Sequence, residues 1–310
     1  MQNVDLFNVC GPVTHTNITT KSKSINYAPI IAGTMTWGSW GKQLSKSEMI
    51  DLMIFCVSEG LTTFDHADIY GAYENEKAFG AAFSESGIER DGVQLITKCG
   101  IQMTQGRENK VKHYQYDADY IVWSAEQSLK KLRTDYVDLF LLHRPSPLMH
   151  PDEVARAIEK LKASGKIRQF GVSNFSPSQI MLLEKSVGVE GNQVECSLTH
   201  TAPMEDGTFD DCLASDRMAM TWSPLGNYFR QNNQQNERIS AVLDELKDKY
   251  DADDSQLLLA FLFKHPVQVY PVVGTTNKER LSNSIKAANI DLDLQDWFVL
   301  LEASKGNEVA

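Results

Sequence analysis

Short hydrophobic segments recur along the chain, and longer segments with an amphipathic pattern separate them. A short continuous apolar run is typical of a strand that is buried on both faces of a sheet. Strands that alternate with helices predict βαβ units and a parallel sheet. The eight predicted strands are Ile30–Ala32, Leu61–Phe64, Val93–Ile96, Val137–Leu142, Ile167–Val172, Gly191–Val194, Met218–Trp222 and Val267–Val273.

The segments between these strands carry signals that start and stop helices. Ser45 and Glu48 form a capping box before an apolar run, and Asp117 is placed to cap another helix. Gly165 predicts the end of a helix that begins at Pro151. Further helices are predicted to begin at Ser176 and at Asp254 or Ser255.

The spacing of the strands favours a barrel over an open sheet. The 310 residues divided by eight strands give roughly 39 residues per unit, which suits an α/β fold of the (β/α)8 TIM barrel type. An open dinucleotide-binding sheet would place G-x-G-x-x-G after its first strand, and Gly33, Gly38 and Gly41 do not match that spacing. The predicted parts of this single domain (1–310) are an N-terminal extension (1–26), the barrel core (27–290), and a C-terminal helix and tail (291–310).

Composition and charge exclude several classes of protein. Hydrophobic residues make up 42% and charged residues 23%, as in an ordinary globular protein. The longest apolar runs, such as Leu257–Phe263, are far shorter than the roughly 20 residues that span a membrane. A net charge of −11 disfavours nucleic acid as a partner. Five cysteines without a C-x-x-C pair indicate free thiols, and hence a cytoplasmic location.

In a barrel, functional side chains lie at the C-terminal ends of the strands and in the loops that follow. Four such residues form a chemically sensible set: Asp65 and Tyr70 after the second strand, Lys98 after the third and His143 after the fourth. Asp65 and Lys98 are expected to form a buried ion pair. The Lys98 ammonium is expected to lower the pKa of the Tyr70 phenol. The set indicates a general acid, Tyr70, that protonates a substrate oxygen positioned by His143.

The same residues have other interpretations. Each of the four would, taken alone, suit a structural role such as a rim ion pair or a core histidine. Asp65, His66 and Asp68 are residue types that bind metals, but they crowd one loop and no H-E-x-x-H motif is present, so no metal is predicted. Cys99, next to Lys98, is predicted to be a small buried residue rather than a redox-sensitive thiol.

Seven motifs resemble those of the aldo-keto reductase superfamily, and they follow the order of that family from about residue 30 to residue 286. They are most similar to bacterial members that carry H-A-D-I-Y-G, K-C-G and L-L-H-R-P-x-P-L. The motifs are DHADIYG at 65–71, TK at 97–98, LLHRP at 141–145, GVSNF at 171–175, NQVE at 192–195, WSPLG at 222–226 and PVVGT at 271–275.

This resemblance implies a TIM-barrel enzyme that uses NADP(H) to reduce aldehydes or ketones to alcohols. Its catalytic tetrad would be Asp65, Tyr70, Lys98 and His143, with the D-x-A-x-x-Y spacing of the family intact. It also implies a short N-terminal hairpin that plugs the barrel bottom, with a regulatory extension as the alternative. The implied cofactor-binding residues are Gly33, Thr34, Met35, Ser173, Asn174, Gln193, Trp222, Ser223, Leu225, Gly226, Gly274, Thr275, Thr276, Lys278, Arg280 and Asn283.

Two positions depart from the family pattern. Trp222 stands where members often carry a tyrosine against the nicotinamide, and Asn283-Ser284 stands where many carry Glu-Asn for adenine. Arg280 and Lys278 are expected to bind the adenosine 2′-phosphate of NADP(H), because Thr275 and Thr276 precede them. The alternative is that both side chains are solvated at the start of a helix.

An NADPH-binding regulatory subunit with negligible turnover is the main competing function, and a barrel isomerase or lyase without nicotinamide is another. The segments expected to set specificity are 37–40, Cys99–Tyr116 and Tyr228–Asn236, with the Gln/Asn-rich stretch at 231–236 as a surface loop. Their aromatic residues suggest a partly apolar, open pocket for several small carbonyl compounds. The chain is expected to be a monomer or a weak homo-oligomer.

Overall fold

The predicted strands close into a barrel. In the computed structural model, which describes residues 25–309, the parallel strands pair in the order β1-β8-β7-β6-β5-β4-β3-β2 and then back to β1. The predicted α/β fold, a (β/α)8 TIM barrel, is therefore confirmed. The strands are β1 (Ile31–Gly33), β2 (Thr63–Asp65), β3 (Gln94–Cys99), β4 (Val137–Leu142), β5 (Ile167–Ser173), β6 (Gly191–Glu195), β7 (Met218–Trp222) and β8 (Tyr270–Val273).

The inside of the barrel is a packed core. Ala32 on β1 pairs with Val273 on β8 and with Phe64 on β2, which closes the ring of strands. Large aliphatic side chains fill the space within the ring: Ile31, Ile96, Leu139, Leu141, Met220 and Val272. Their burial leaves the C-terminal mouth as the place where polar side chains meet, as barrel geometry requires.

Helices surround the barrel. The capping predictions at Ser45, Asp117, Pro151 and Ser176 are confirmed, and Gly165 follows the helix end with a left-handed φ of 71°. The helices are α1 (Lys46–Ser58), α2 (Tyr70–Tyr73), α3 (Asn75–Phe83), α4 (Ala118–Leu132), α5 (Pro151–Ala163), α6 (Pro177–Leu183), α7 (Thr208–Ala214), α8 (Gln234–Tyr250), α9 (Asp254–Phe263), α10 (Lys278–Ala287) and α11 (Leu294–Lys305). Among them, α2 is a single turn whose inner residues have left-handed backbone angles.

Some element boundaries differ from the prediction. The last strand begins at Tyr270 rather than Val267, because Gln268 takes a left-handed φ of 53° that interrupts an extended chain. The predicted start of α9 at Asp254 is confirmed, and Asp253 caps the helix, since its carboxylate accepts from the Gln256 backbone N–H.

Two loops contain structure that the sequence did not predict. The segment Cys99–Tyr116 forms an antiparallel hairpin, in which Ile101–Gln102 pairs with His113–Tyr114. The Gln/Asn-rich stretch is only partly a loop, because Asn233 caps α8 and the helix begins at Gln234.

The N-terminal hairpin prediction falls on residues 1–24 and so lies outside the described residues. The C-terminal helix is present as α11, and the division of the chain into its three parts stays a prediction. Within residues 25–309, no helix is both long enough and apolar enough to cross a membrane.

Candidate active site

The candidate site lies where β2, β3 and β4 end at the barrel mouth. Lys98 donates to both carboxylate oxygens of Asp65, each at 2.7 Å, and to the carbonyl oxygen of His66 at 2.9 Å. The two side chains of this ion pair are 1% and 2% exposed, where neither charge would be tolerated alone. Gln193 on β6 donates to the same carboxylate at 3.0 Å. The predicted ion pair is therefore present, with an amide as additional support.

The Tyr70 hydroxyl accepts a hydrogen bond from the Lys98 ammonium at 3.2 Å, so its own proton is available to another acceptor. Burial raises the pKa of Tyr70 above its ordinary value of 10.0, and Lys98 opposes that rise only in part. The predicted lowering of this pKa is wrong in its net direction. Desolvation of the buried phenolate raises the pKa by more than the Lys98 ammonium, already paired with Asp65, lowers it. Tyr70 is therefore protonated at neutral pH, as a proton donor must be.

His143 follows β4 and lies beside Tyr70, with the two rings in edge-to-face contact at 6.1 Å between centroids. Its backbone nitrogen donates to the Cys99 carbonyl oxygen at 2.9 Å, which fixes the residue to the end of β3. Burial lowers the pKa of His143 well below 6.5, and Lys98 and Arg144 lower it further. The imidazole is therefore neutral and able to donate a hydrogen bond to a substrate oxygen.

A left-handed turn positions Tyr70. The three residues that follow it, Gly71, Ala72 and Tyr73, all have positive φ angles of 55–72°. Asn75 braces this turn, since its amide donates to the carbonyl oxygens of Thr34 and Met35 at 3.0 and 3.2 Å. A Cβ at Gly71 would lie only 2.1 Å from the Asn75 side-chain oxygen. The turn therefore requires glycine both for its conformation and for its contact with Asn75.

We expect Gly71→Ala to destabilise the protein by about 1–2 kcal/mol from the left-handed conformation alone, and by more as Asn75 is displaced. Any turnover that depends on Tyr70 should fall as well, because the displaced turn carries that residue. Thermal unfolding and turnover assays measure these effects. The control is Ala72→Gly, which adds no atom at a neighbouring left-handed position and should not lower the unfolding midpoint. Parent-like stability and turnover in Gly71→Ala would show that the turn tolerates a side chain.

A cavity of about 2110 Å³ opens above these residues. This volume exceeds the ~300–1,000 Å³ of a site for one drug-sized ligand, so a dinucleotide and a substrate would fit together. Thirteen of the predicted cofactor residues border it: Gly33, Met35, Ser173, Asn174, Gln193, Trp222, Ser223, Leu225, Gly226, Gly274, Thr275, Thr276 and Arg280.

Polar contacts link the residues at the ends of β5, β6 and β7. Asn174 donates to the Ser173 hydroxyl at 2.7 Å and accepts from the Trp222 indole N–H at 2.9 Å. Ser173 in turn donates to the Gln193 carbonyl oxygen at 2.8 Å. The tryptophan that departs from the family pattern thus fixes the orientation of the Asn174 amide through its indole N–H.

The other three predicted cofactor residues do not border the cavity. Thr34 is buried beneath it and contacts the Asp65 carbonyl oxygen and the His66 ring. The Lys278 ammonium pairs with Asp51 on α1 at 2.6 Å. The Asn283 amide donates to Asp253 at 2.9 Å. Each of the three residues thus has a partner within the protein, and their role in cofactor binding stays a prediction.

The carboxylates near the tetrad bond to protein groups. Glu76 accepts from Thr97 at 2.6 Å and Asp68 accepts from Ser124 at 3.2 Å. Burial raises the pKa of Asp68 to about 7, with a further rise from Glu76. In the part of the chain that the structure describes, no group of three or more His, Cys, Asp or Glu residues is arranged to hold a metal ion. Cys99 is fully buried, which agrees with its prediction as a small core residue.

Comparison with known proteins identifies the family. The sequence model of the Aldo/keto reductase family matches residues 29–303, so the chain belongs to this family of oxidoreductases. It is 37% identical over 295 residues to the uncharacterized oxidoreductase YcsN of Bacillus subtilis, covering 93% of this chain and 98% of that protein. It is also 37% identical over 259 residues to 6-dehydroglucose reductase of Agrobacterium fabrum, covering 82% and 87% of the two chains.

A solved structure shares the fold. The aldo/keto reductase of Klebsiella pneumoniae, crystallised with NADP and acetate, superimposes with a TM-score of 0.72 at 24% sequence identity, covering 89% of this chain and 90% of that one.

Proposed function

We propose that this protein uses NADPH to reduce an aldehyde or ketone to an alcohol. The observation that carries the proposal is the arrangement around Tyr70. A protonated phenol accepts from a charged lysine, lies beside a neutral histidine and borders a cavity large enough for cofactor and substrate. This arrangement delivers a proton to an oxygen that gains negative charge.

Each member of the tetrad has a distinct role in the proposal. Tyr70 donates its proton to the substrate oxygen, and His143 orients that oxygen with a hydrogen bond. Lys98 stabilises the tyrosinate that remains, because its ammonium already contacts the Tyr70 oxygen. Asp65 keeps the lysine in place. A positioned acid of this kind contributes about 10²–10⁴-fold to the rate.

The cavity suits a nicotinamide dinucleotide phosphate. NADPH, when bound, supplies the hydride for the carbonyl carbon. Trp222, Ser173, Asn174 and Gln193 would hold its nicotinamide end, and the residues from Gly274 to Arg280 would hold its adenosine phosphate. In support of the second assignment, the Arg280 side chain borders the cavity beside the start of α10 and forms no ion pair within residues 25–309. An unneutralised cation at a helix N-terminus attracts an anion.

Arg280→Ala tests the choice of cofactor. A charge-assisted contact with the 2′-phosphate contributes about 1.5–3 kcal/mol, so NADPH should bind roughly 10- to 150-fold more weakly. NADH, which lacks that phosphate, should bind as it does to the parent. Fluorescence titration with both cofactors measures the two affinities, and Lys286→Ala is the control, because Lys286 lies in the last turn of α10 and does not border the cavity. Equal losses for NADPH and NADH would assign Arg280 to structure.

Loss of NADPH absorbance with a panel of activated aldehydes and ketones tests the function itself. We expect NADPH oxidation in step with alcohol formation. NADPH binding without turnover on any carbonyl compound would favour a cofactor-sensing subunit, and no binding would favour an isomerase or lyase.

We also propose a cytoplasmic location. The four buried cysteines, which form no disulfides with one another in residues 25–309, support this proposal.

A further inference from the structure

Charge is distributed unevenly around the cavity. Five of the basic residues that border it form no ion pair within residues 25–309: Lys42, Lys112, Arg144, Arg230 and Arg280. Apart from Asp65, which Lys98 neutralises, the carboxylates that border it lie between Asp248 and Asp254. That acidic stretch is joined to α10 through the contact between Asp253 and Asn283. The acids therefore lie at the end of the cavity beside Arg280, away from the tetrad.

Two of the unpaired cations lie at the tetrad end. Arg144 follows His143 directly, and its guanidinium is 5.5 Å from the Trp222 ring. Lys112 precedes the second strand of the hairpin that borders the same end of the cavity. Both charges help to lower the pKa of the buried His143 imidazole. A negative group on a molecule bound at Tyr70 would therefore meet two cations.

The backbone of Arg144 is held in place. The Tyr116 hydroxyl donates to the Arg144 carbonyl oxygen at 2.5 Å and accepts from its backbone N–H at 3.2 Å. The Tyr116 ring packs against Gly100, where a Cβ would lie 2.1 Å from the ring and where φ is +111°. The backbone from which the Arg144 side chain extends into the cavity is thus held in position before an anion binds.

The same end of the cavity also has an apolar wall. Trp40, Ile101, Met103 and Tyr114 border it, and the Trp40 ring is 6.3 Å from the Tyr70 ring. A small hydrocarbon or aromatic stem would pack against these side chains while a charged end reached Arg144 and Lys112.

We propose that the substrate is a carbonyl compound with an oxyanion, either a carboxylate or a phosphate, that binds to Arg144 and Lys112. This inference rests on the proposed reductase function and narrows its substrate class. Arg144 presents a planar guanidinium that matches an oxyanion in shape and charge, and Lys112 adds a second, more exposed charge.

The test compares 4-carboxybenzaldehyde with its neutral methyl ester. The ester group withdraws more electron density, so intrinsic reactivity favours the ester, and any preference for the acid must come from the protein. We expect kcat/KM for the acid to exceed that for the ester by about 10-fold or more, and the ratio to fall as salt is added. Glyceraldehyde 3-phosphate against glyceraldehyde is the second pair. A preference in that pair alone would assign the oxyanion as phosphate.

Variants locate the origin of the preference. Arg144→Gln and Lys112→Gln should each lower the acid-to-ester ratio, and Arg144→Lys should retain part of it because the charge remains. Lys110→Gln, on the same hairpin but not bordering the cavity, should leave the ratio unchanged. Equal kcat/KM values within both substrate pairs would overturn the proposal while leaving the reductase function intact, as would a ratio insensitive to both glutamine variants. Absence of NADPH oxidation with all four substrates would overturn the reductase function as well.

Discussion

Tyr70→Phe should reduce turnover by about 10²-fold or more while leaving the fold intact. The substitution removes the one oxygen that Lys98 contacts at 3.2 Å and changes the side-chain volume little. Without the phenol, the substrate oxygen loses the proton donor that the proposal assigns to it, whereas the residues expected to hold NADPH are untouched. NADPH affinity should therefore stay within a few-fold of the parent value. Steady-state turnover, cofactor titration and a thermal melt measure the three quantities.

The pH profile adds a second check on Tyr70. Since burial raises the pKa of this phenol above 10.0, deprotonation should reduce the rate of carbonyl reduction only at strongly alkaline pH. Turnover should accordingly stay level between about pH 6 and pH 9.

The matched control for Tyr70→Phe is Tyr136→Phe, which lies next to the opposite end of β4 and should behave as the parent. Normal turnover in Tyr70→Phe would remove Tyr70 from the chemistry.

Lys98→Met should abolish most turnover and destabilise the protein at the same time. The ammonium is 1% exposed and pairs with a carboxylate that is 2% exposed. Removing one member of such a pair leaves a buried charge uncompensated, at a typical cost of about 3–5 kcal/mol. The pKa of Tyr70 should rise still further, because the charge that opposes the effect of burial is gone. The tyrosinate formed in the reaction would then lack its stabilising cation.

A double variant separates chemistry from stability. Asp65→Asn combined with Lys98→Met removes both charges and should recover part of the lost stability, while turnover stays low. Arg90→Met is the matched structural control, since Arg90 pairs with the buried Asp138 at 2.8 Å away from the cavity. It should lower stability without a comparable loss of turnover. A Lys98→Met protein that is unstable but fully active would make the lysine a purely structural residue.

The barrel was predictable from sequence because its determinants are local. Apolar runs mark the strands, and capping residues such as Ser45 and Ser176 mark the helix starts, so the period of the pattern is enough to identify the fold. The position of the tetrad follows from the fold, since barrel strands bring their C-terminal ends to one mouth. The ion pair of Asp65 and Lys98 could be predicted from this rule together with the high free-energy cost of an unpaired buried charge.

What the sequence did not reveal depends on contacts between distant segments. The sign of the Tyr70 pKa shift depends on how completely the phenol is buried, which no pattern encodes. Asn75 braces the Tyr70 turn by reaching the backbone just after β1. Its traces in the sequence are Gly38 and Gly71, where a side chain would clash with the Asn75 amide. The ion pair between Lys278 and Asp51 joins two helices that are far apart in the chain, so the sequence near Lys278 does not reveal it. Such pairings become visible only after the helices have packed.

Transfer of deuterium from 4-deuterated NADPH to a carbonyl compound tests the proposed function most directly. The parent, mixed with the labelled cofactor and an activated aldehyde in a single turnover, should yield an alcohol with one deuterium on the former carbonyl carbon. The label should come from only one of the two faces of the nicotinamide. Tyr70→Phe should yield about 10²-fold less labelled alcohol over the same time. An alcohol that carries no deuterium whichever face of the nicotinamide bears the label, or NADPH that binds and stays reduced with every carbonyl compound offered, would contradict the proposal that this protein is a carbonyl reductase.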